Sequence, residues 1–178
     1  NNSTVHMTRA TAKALGLLDP QDSAPDAAIA FNSDFNWDFT PEDGIDSNSF
    51  SYVAVAAHEI GHALGLGHAG NYNGGATYGS DNHYANDSWS VSLMSYFHQT
   101  ENTATIGSFA YAITPMMADI IAAQNLYGAG EFAIGDTVYG EAGTGGTYLD
   151  DALGYARSVA WTVYDTGGTD HFNFGGYS

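Results

Sequence analysis

Two histidines four residues apart, then a glycine and a third histidine, constrain this chain more than anything else in it. The segment reads His58-Glu59-Ile60-Gly61-His62-Ala63-Leu64-Gly65-Leu66-Gly67-His68. On a helix, His58 and His62 project from one face on consecutive turns, where their imidazoles can share a tetrahedral cation. Glu59 is turned away from direct ligation but stays close enough to accept a proton from a water on that ion. A third ligand has to come from beyond the helix. Gly65 supplies the break, because glycine adopts the positive φ that reverses the chain, and His68 then returns to the same ion. Three neutral nitrogens leave a fourth position open for water, which separates a catalytic zinc from a closed structural one. Two plainer readings exist: hydrogen-bonded histidines on a helix face, or a non-catalytic zinc scaffold in which Glu59 has little to do.

The flanking sequence suits a helix here. Phe50, Val53, Ala57, Ile60 and Leu64 recur at helical spacing, and Gly65 and Gly67 stop the run. Residues 70–92 are rich in Gly, Asn, Asp, Ser and Tyr and read as a long loop, a length that usually serves a function or is disordered. A second helix is predicted from Thr114-Pro115, with the proline at its first position, Asp119 favoured by the helix dipole and Gly128 closing it. Thr4 to Leu18 suits a short helix, Ala27 to Phe39 a strand or a hairpin turning near Asn32-Ser33-Asp34, and Pro41 to Ser49 a loop. After Gly128, short apolar runs such as Thr137-Val138-Tyr139 and Val159 to Tyr164 suit short strands joined by turns.

The composition narrows the function. With 178 residues, 44% of them hydrophobic, one main domain with a sizeable core is expected. Three Lys plus Arg against twenty Asp plus Glu give a net charge of −17, which repels phosphate backbones and anionic lipid headgroups. Nucleic acid and membrane surfaces are therefore not expected partners. No apolar run approaches the roughly 20 residues that span a bilayer, and no basic segment precedes an apolar one at Asn1. The lack of cysteine excludes thiol catalysis, Cys-ligated zinc and disulfides, and leaves the compartment open.

The histidine segment, spelling HExxHxxGxxH, resembles the zinc site of the metzincin metalloendopeptidases. Downstream, Ser92-Leu93-Met94-Ser95-Tyr96 resembles their Met-turn. The resemblance implies an α+β zincin catalytic domain with a long zinc-binding helix, a helix after the Met-turn and a short β-rich C-terminal segment. It implies zinc on His58, His62 and His68, Glu59 as general base and Met94 as a hydrophobic floor beneath the ligands. Tyr96 would be an extra metal ligand that swings away to donate to the oxyanion. The Thr114 to Gly128 helix and Gly135-Asp136-Thr137-Val138-Tyr139-Gly140 resemble the serralysin branch in particular. Two features depart from it: Ala69 stands where serralysins usually have Pro, and only 57 residues precede His58. The expected organisation is a catalytic domain over 1–130 with a shortened N-terminal sheet, then a Gly/Asp-rich β segment over 131–178 without RTX repeats.

Asp165-Thr166-Gly167-Gly168-Thr169-Asp170 offers two carboxylates with carbonyl-exposing glycines between them, a set that suits a hard cation. By the same resemblance, Asp165, Gly167 and Asp170 would hold Ca²⁺ together with Ala133, Gly135 and Thr137. His6, His83 and His98 lack ligand spacing and are expected to be surface or hydrogen-bonded residues. The implied protein is a secreted, monomeric zinc endopeptidase acting on protein or peptide substrates, with a proteinaceous inhibitor as a further candidate partner. Ala28 to Asn32 is the candidate strand edge for an extended substrate. Two alternatives belong to other classes: a catalytically inactive metzincin scaffold used for binding or adhesion, and a calcium-stabilised surface-layer domain.

Overall fold

The computed structural model describes residues 9–15, 17–18, 21, 27–39, 50–147, 149–150 and 158–176. The order along the chain is α1 (Arg9–Ala14), β1 (Trp37–Asp38), β2 (Phe50–Ser51), α2 (Tyr52–Ala63), β3 (Tyr111–Ala112), α3 (Met117–Tyr127), β4 (Val138–Gly140), β5 (Val159–Ala160) and β6 (His171–Asn173). Helices and short strands are interspersed along the chain, a mixture compatible with an α+β arrangement. The strands form three parallel pairs, β1 with β2, β3 with β5 and β4 with β6.

The helix predicted over the histidine segment forms as α2, and its end is built by Gly65. Leu66 N–H donates to Gly61 O and Gly65 N–H to His62 O, both at 2.9 Å, with Gly65 at φ +94°. This is the Schellman pattern, in which a left-handed residue turns two amides back onto the last carbonyls. The turn also delivers the Leu66 carbonyl to within 2.9 Å of His62 Nδ1.

The second helix begins later than the sequence suggests. Met116 is the N-cap of α3 and Pro115 lies outside it, because the Asp119 carboxylate takes the Met116 N–H at 2.8 Å. Asp119 does more than complement a dipole. It is buried, and it also accepts Ser92 Oγ at 2.6 Å and Leu93 N at 2.7 Å, tying the start of α3 to residues 92–93. Gly128, at φ +85°, closes the helix as expected, and Tyr127 donates its hydroxyl to Leu64 O at 2.8 Å, joining the ends of α3 and α2.

The predicted strand or hairpin over 27–39 is largely not formed. Residues 27–36 carry no ladder apart from a turn near Ser33, and only Trp37–Asp38 pairs, in parallel with Phe50–Ser51 rather than back on its own neighbours. Side-chain stacking takes the place of the ladder: Phe31, Trp37 and Phe39 pack around Tyr52 of α2, with ring centroids 4.8–6.0 Å apart. The N-terminal helix covers Arg9–Ala14 of the predicted range; residues 4–8, and the predicted loop over 41–49, lie outside the described residues.

The core does not follow the apolar stripe of α2. Ile60 is 50% and Leu64 37% exposed, and the buried apolar residues are Tyr72, Leu93, Met94, Phe97, Ala112, Ile113, Met116 and Tyr139. Most of these belong to irregular chain between residues 70 and 116. Ala57 is the α2 residue that packs on Leu93, Ala112 and Met116. The irregular chain holds its shape through short polar side chains buried with it. Asn102, for example, donates to Ser88 Oγ and Gln99 O and accepts from the amides of Ala104 and Thr105. Such bonds replace a ladder residue by residue. Replacing Asp119 with alanine orphans three buried donors at once, so denaturant unfolding should show a loss of about 3 kcal/mol; an unshifted midpoint would remove this carboxylate from the account.

Candidate metal centre

Each imidazole of the triad is fixed through its Nδ1 by a backbone carbonyl. His58 Nδ1 lies 2.8 Å from Leu93 O, His62 Nδ1 2.9 Å from Leu66 O, and His68 Nδ1 2.8 Å from Tyr72 O. A carbonyl only accepts, so Nδ1 carries the proton in all three rings, and the neutral rings present bare Nε2 atoms. The ligand atoms of the three rings lie within 4.8 Å of one another, and His62 Nε2 and His68 Nε2 are 3.0 Å apart. Bare nitrogens that close repel, and a shared cation relieves the repulsion. The donor set therefore fits a divalent ion that prefers nitrogen ligands. Among the described residues, this is the one group of three or more His, Asp or Glu side chains whose donor atoms converge. Burial, and then the neighbouring His62 and His58, hold the His68 pKa below the usual imidazole value, against an opposing bond to Tyr72 O and the attraction of Glu59. Lowering it favours the neutral, ligating form.

Met94 lies directly beneath this helix. It is 2% exposed, and a Cβ on Gly61 would come within 2.5 Å of its sulfur. A side chain at position 61 would have to displace the Met94 thioether. Tyr96 sits beside the rings, its centroid 4.4 Å from His68 and 6.1 Å from His58, with its hydroxyl oxygen 3.4 Å from Gly74 N. His58, Glu59 and Tyr96 line one cleft of about 680 Å³. Its far wall is aromatic: Phe109 and Tyr111 meet edge to face at 5.0 Å, and Trp89 stands 6.1 Å from Phe109. A second cavity of about 400 Å³ lies between α2 and α3 and holds none of the three histidines.

Comparison with known proteins points the same way. The Matrixin peptidase family matches residues 10–74, a span that contains the whole histidine segment. Serralysin B of Dickeya chrysanthemi is 43% identical over 125 residues, covering 68% of this chain and 26% of the relative. Metallopeptidase AprA of Pseudomonas marginalis is 39% identical over 151 residues, covering 80% of this chain and 31% of the relative. The chain is a serralysin-like metzincin. It spans about a quarter to a third of the length of these relatives.

The other residues singled out in this metzincin sequence fall into two groups. The segments proposed for calcium come together. Phe132 N–H donates to Thr166 Oγ1 at 3.0 Å, Thr169 N–H to Asp136 Oδ1 at 2.8 Å, and Thr137 N–H to Asp170 Oδ1 at 3.1 Å. Ala133 is at φ +49°, Gly135 O accepts the Thr137 hydroxyl at 3.0 Å, and Gly167 packs on Ile134 O. Gly168, at φ +96°, lets the backbones touch, since a Cβ there would sit 2.5 Å from Gly135. Ala28 to Asn32, by contrast, form no strand, so the substrate edge assigned to them is not present as a ladder. His98 is hydrogen-bonded to Thr100 and lies 3.2 Å from Glu101, His83 is exposed, and His6 lies outside the described residues.

Sequence reasoning missed Tyr72, Asp87 and Ser95, which are buried behind His68 and Tyr96. Tyr72 follows His68 by four residues, yet no motif marks it, and Asp87 resembles any acidic residue of a polar loop.

In the C-terminal segment the Tyr139 hydroxyl donates to Asp165 Oδ2 at 2.5 Å. Burial, and then the Asp165 carboxylate, push the tyrosine up to about 12, while the tyrosine hydroxyl, and then Gly167 N–H, hold Asp165 below the usual carboxylate range. A raised folded-state value gives stability that is complete below the unfolded tyrosine value of about 10 and is lost as pH climbs through the folded one. Melting temperature should therefore decline between about pH 10 and pH 12, and Tyr139→Phe should flatten that decline. An equally steep decline in the variant would assign the titration elsewhere.

Proposed function

We propose that this chain carries the catalytic centre of an exported zinc endopeptidase that hydrolyses peptide bonds in extended segments of protein. The observation that supports it best is the convergence of three bare Nε2 atoms beside a cleft that also contains a carboxylate and a phenol. Zinc bound there would supply a Lewis acid, making a water acidic and polarising the scissile carbonyl. His58, His62 and His68 would hold it, and their carbonyl-bound Nδ1 atoms keep the rings in the ligating tautomer. Glu59 takes the attacking water's proton and passes it to the leaving amine. The Tyr96 oxygen faces Gly74 N–H as an acceptor, so its own proton is free to be given to the developing oxyanion. The aromatic wall of Trp89, Phe109 and Tyr111 suits an apolar side chain next to the cleaved bond. Export follows the resemblance to secreted bacterial proteases, and no helix among the described residues is long and apolar enough to cross a membrane.

Cleavage of casein and of a quenched peptide library, with a zinc chelator as control, tests the reading. Glu59→Gln should keep its zinc and lose nearly all turnover, and Tyr96→Phe should lower kcat by about ten- to a thousandfold. Full zinc occupancy with no cleavage by the unmutated chain would favour the inactive binding scaffold instead.

We also propose a structural Ca²⁺ site on Asp165, Gly167, Asp170, Ala133, Gly135 and Thr137. Its support is the interlocking of the two loops, which brings carboxylates and backbone carbonyls into one region. Withdrawing Ca²⁺ while zinc is retained should lower the melting temperature; an unchanged melt would dismiss the site.

A further inference from the structure

Asp87 is 1% exposed, and among the described residues its carboxylate meets only hydroxyl groups: Tyr72 Oη, at 3.1 Å from both oxygens, and Ser95 Oγ, at 2.6 Å from Oδ1. No cation lies at ion-pair distance from it among the described residues. A buried carboxylate held by two hydroxyls alone is a costly way to fill space, since apolar groups of similar volume would avoid its desolvation. Its two partners lead to different parts of the metal centre. Tyr72 fixes the third histidine twice, through its carbonyl on His68 Nδ1 at 2.8 Å and through its ring, stacked on the imidazole at 5.3 Å and 23°. Ser95 stands between Met94 and Tyr96, accepts Phe97 N–H on its hydroxyl, and holds the Trp89 indole N–H on its carbonyl. The Tyr72 ring is also 4.8 Å from that of Tyr96.

We propose that Asp87 is a positioning residue that, through the Tyr72 hydroxyl on one side and the Ser95 hydroxyl on the other, fixes His68 and Tyr96 in register with each other. The inference rests on the zinc reading above and extends it from the ligands to what aims one of them. His58 and His62 do not depend on Asp87, because their carbonyl partners, Leu93 and Leu66, are held by Asp119 and by the Gly65 turn. Loss of the Asp87 contacts therefore loosens one ligand of three.

The test measures zinc affinity of the full chain, by competition with a chromophoric chelator, and the visible spectrum of the cobalt-substituted protein. Asp87→Ala and Tyr72→Phe are compared with the unmutated chain at a temperature where circular dichroism shows each still folded. Tyr72→Phe keeps the ring and carbonyl and removes only the hydroxyl, so it serves if Asp87→Ala does not fold. The expected result is zinc affinity weakened by about 10–100-fold in Asp87→Ala, and in the same direction in Tyr72→Phe, with an altered cobalt spectrum in each. Unchanged zinc affinity and cobalt spectrum in a folded variant would overturn the proposal, even with a lowered melting temperature, because a purely structural role predicts that pattern. An unmutated chain that takes up no zinc would overturn the zinc reading and this inference with it.

Discussion

Two unprotonated imidazole nitrogens 3.0 Å apart repel each other, and the fold around them is arranged to keep them there. The Nδ1 contacts to Leu93, Leu66 and Tyr72 oxygens choose the tautomer and orient each ring, so that the lone pairs face one another. Preorganisation of this kind moves the cost of gathering the ligands into folding and leaves less of it to binding. Each of the three carbonyls comes from a different local device. Leu66 is delivered by the left-handed turn at Gly65, Leu93 by a residue whose own N–H is bound to Asp119, and Tyr72 by a residue whose hydroxyl is bound to Asp87. The zinc-type geometry is thus the product of one glycine within the histidine segment and two buried carboxylates outside it.

That arrangement explains why a chain with so little regular structure has a defined centre. The Met-turn residues 92–96 lie between two anions, with Asp119 accepting Ser92 and Leu93 on one side and Asp87 accepting Ser95 on the other. Charge-assisted hydrogen bonds are about twice as strong as neutral ones and are directional, so they can fix backbone that no strand or helix holds. Met94 fills the space between these anchors, pressed against the bare backbone of Gly61. The floor is apolar and its supports are polar, which separates the shape of the site from its exposure to water.

Much of this centre was legible in the sequence because it is local. The spacing of His58 and His62, the chain reversal at Gly65 and the stop at Gly128 follow from helix geometry and from the conformations open to glycine, and all are observed in α2, α3 and their ends. The remainder depends on contacts between residues far apart in the chain. The start of α3 moved past Pro115 because Asp119 reached Met116, Ser92 and Leu93 together, and no window around Thr114 contains that fact. The loose apolar alternation of Ala27 to Phe39 suits a strand or a hairpin, whereas its aromatic rings pack on Tyr52, an interaction that alternation cannot distinguish from a sheet face. Tyr72 and Asp87 look like ordinary members of a polar loop until the fold brings His68 and Ser95 to them.

The charge inventory ties these observations together. With 3 cationic side chains for 20 acidic ones, the chain has few ways to pair a buried carboxylate with a Lys or Arg. It uses hydroxyls and backbone amides instead, at Asp87 with Tyr72 and Ser95 and at Asp119 with Ser92, Leu93 and Met116; Asp165, which is only partly covered, is held in the same way by Tyr139 and Gly167. Hydrogen bonds of this kind satisfy lone pairs but leave the net negative charge in place, so the molecule's self-repulsion persists. Divalent ions are the counter-charges that such a chain can recruit without basic side chains. Binding them only in the folded state converts their affinity into stability. A chain built this way is expected to answer to metal removal through its fold as well as through its chemistry, because among the described residues the carboxylates that shape the centre, Asp87 and Asp119, pair with hydroxyls and amides rather than with a cation.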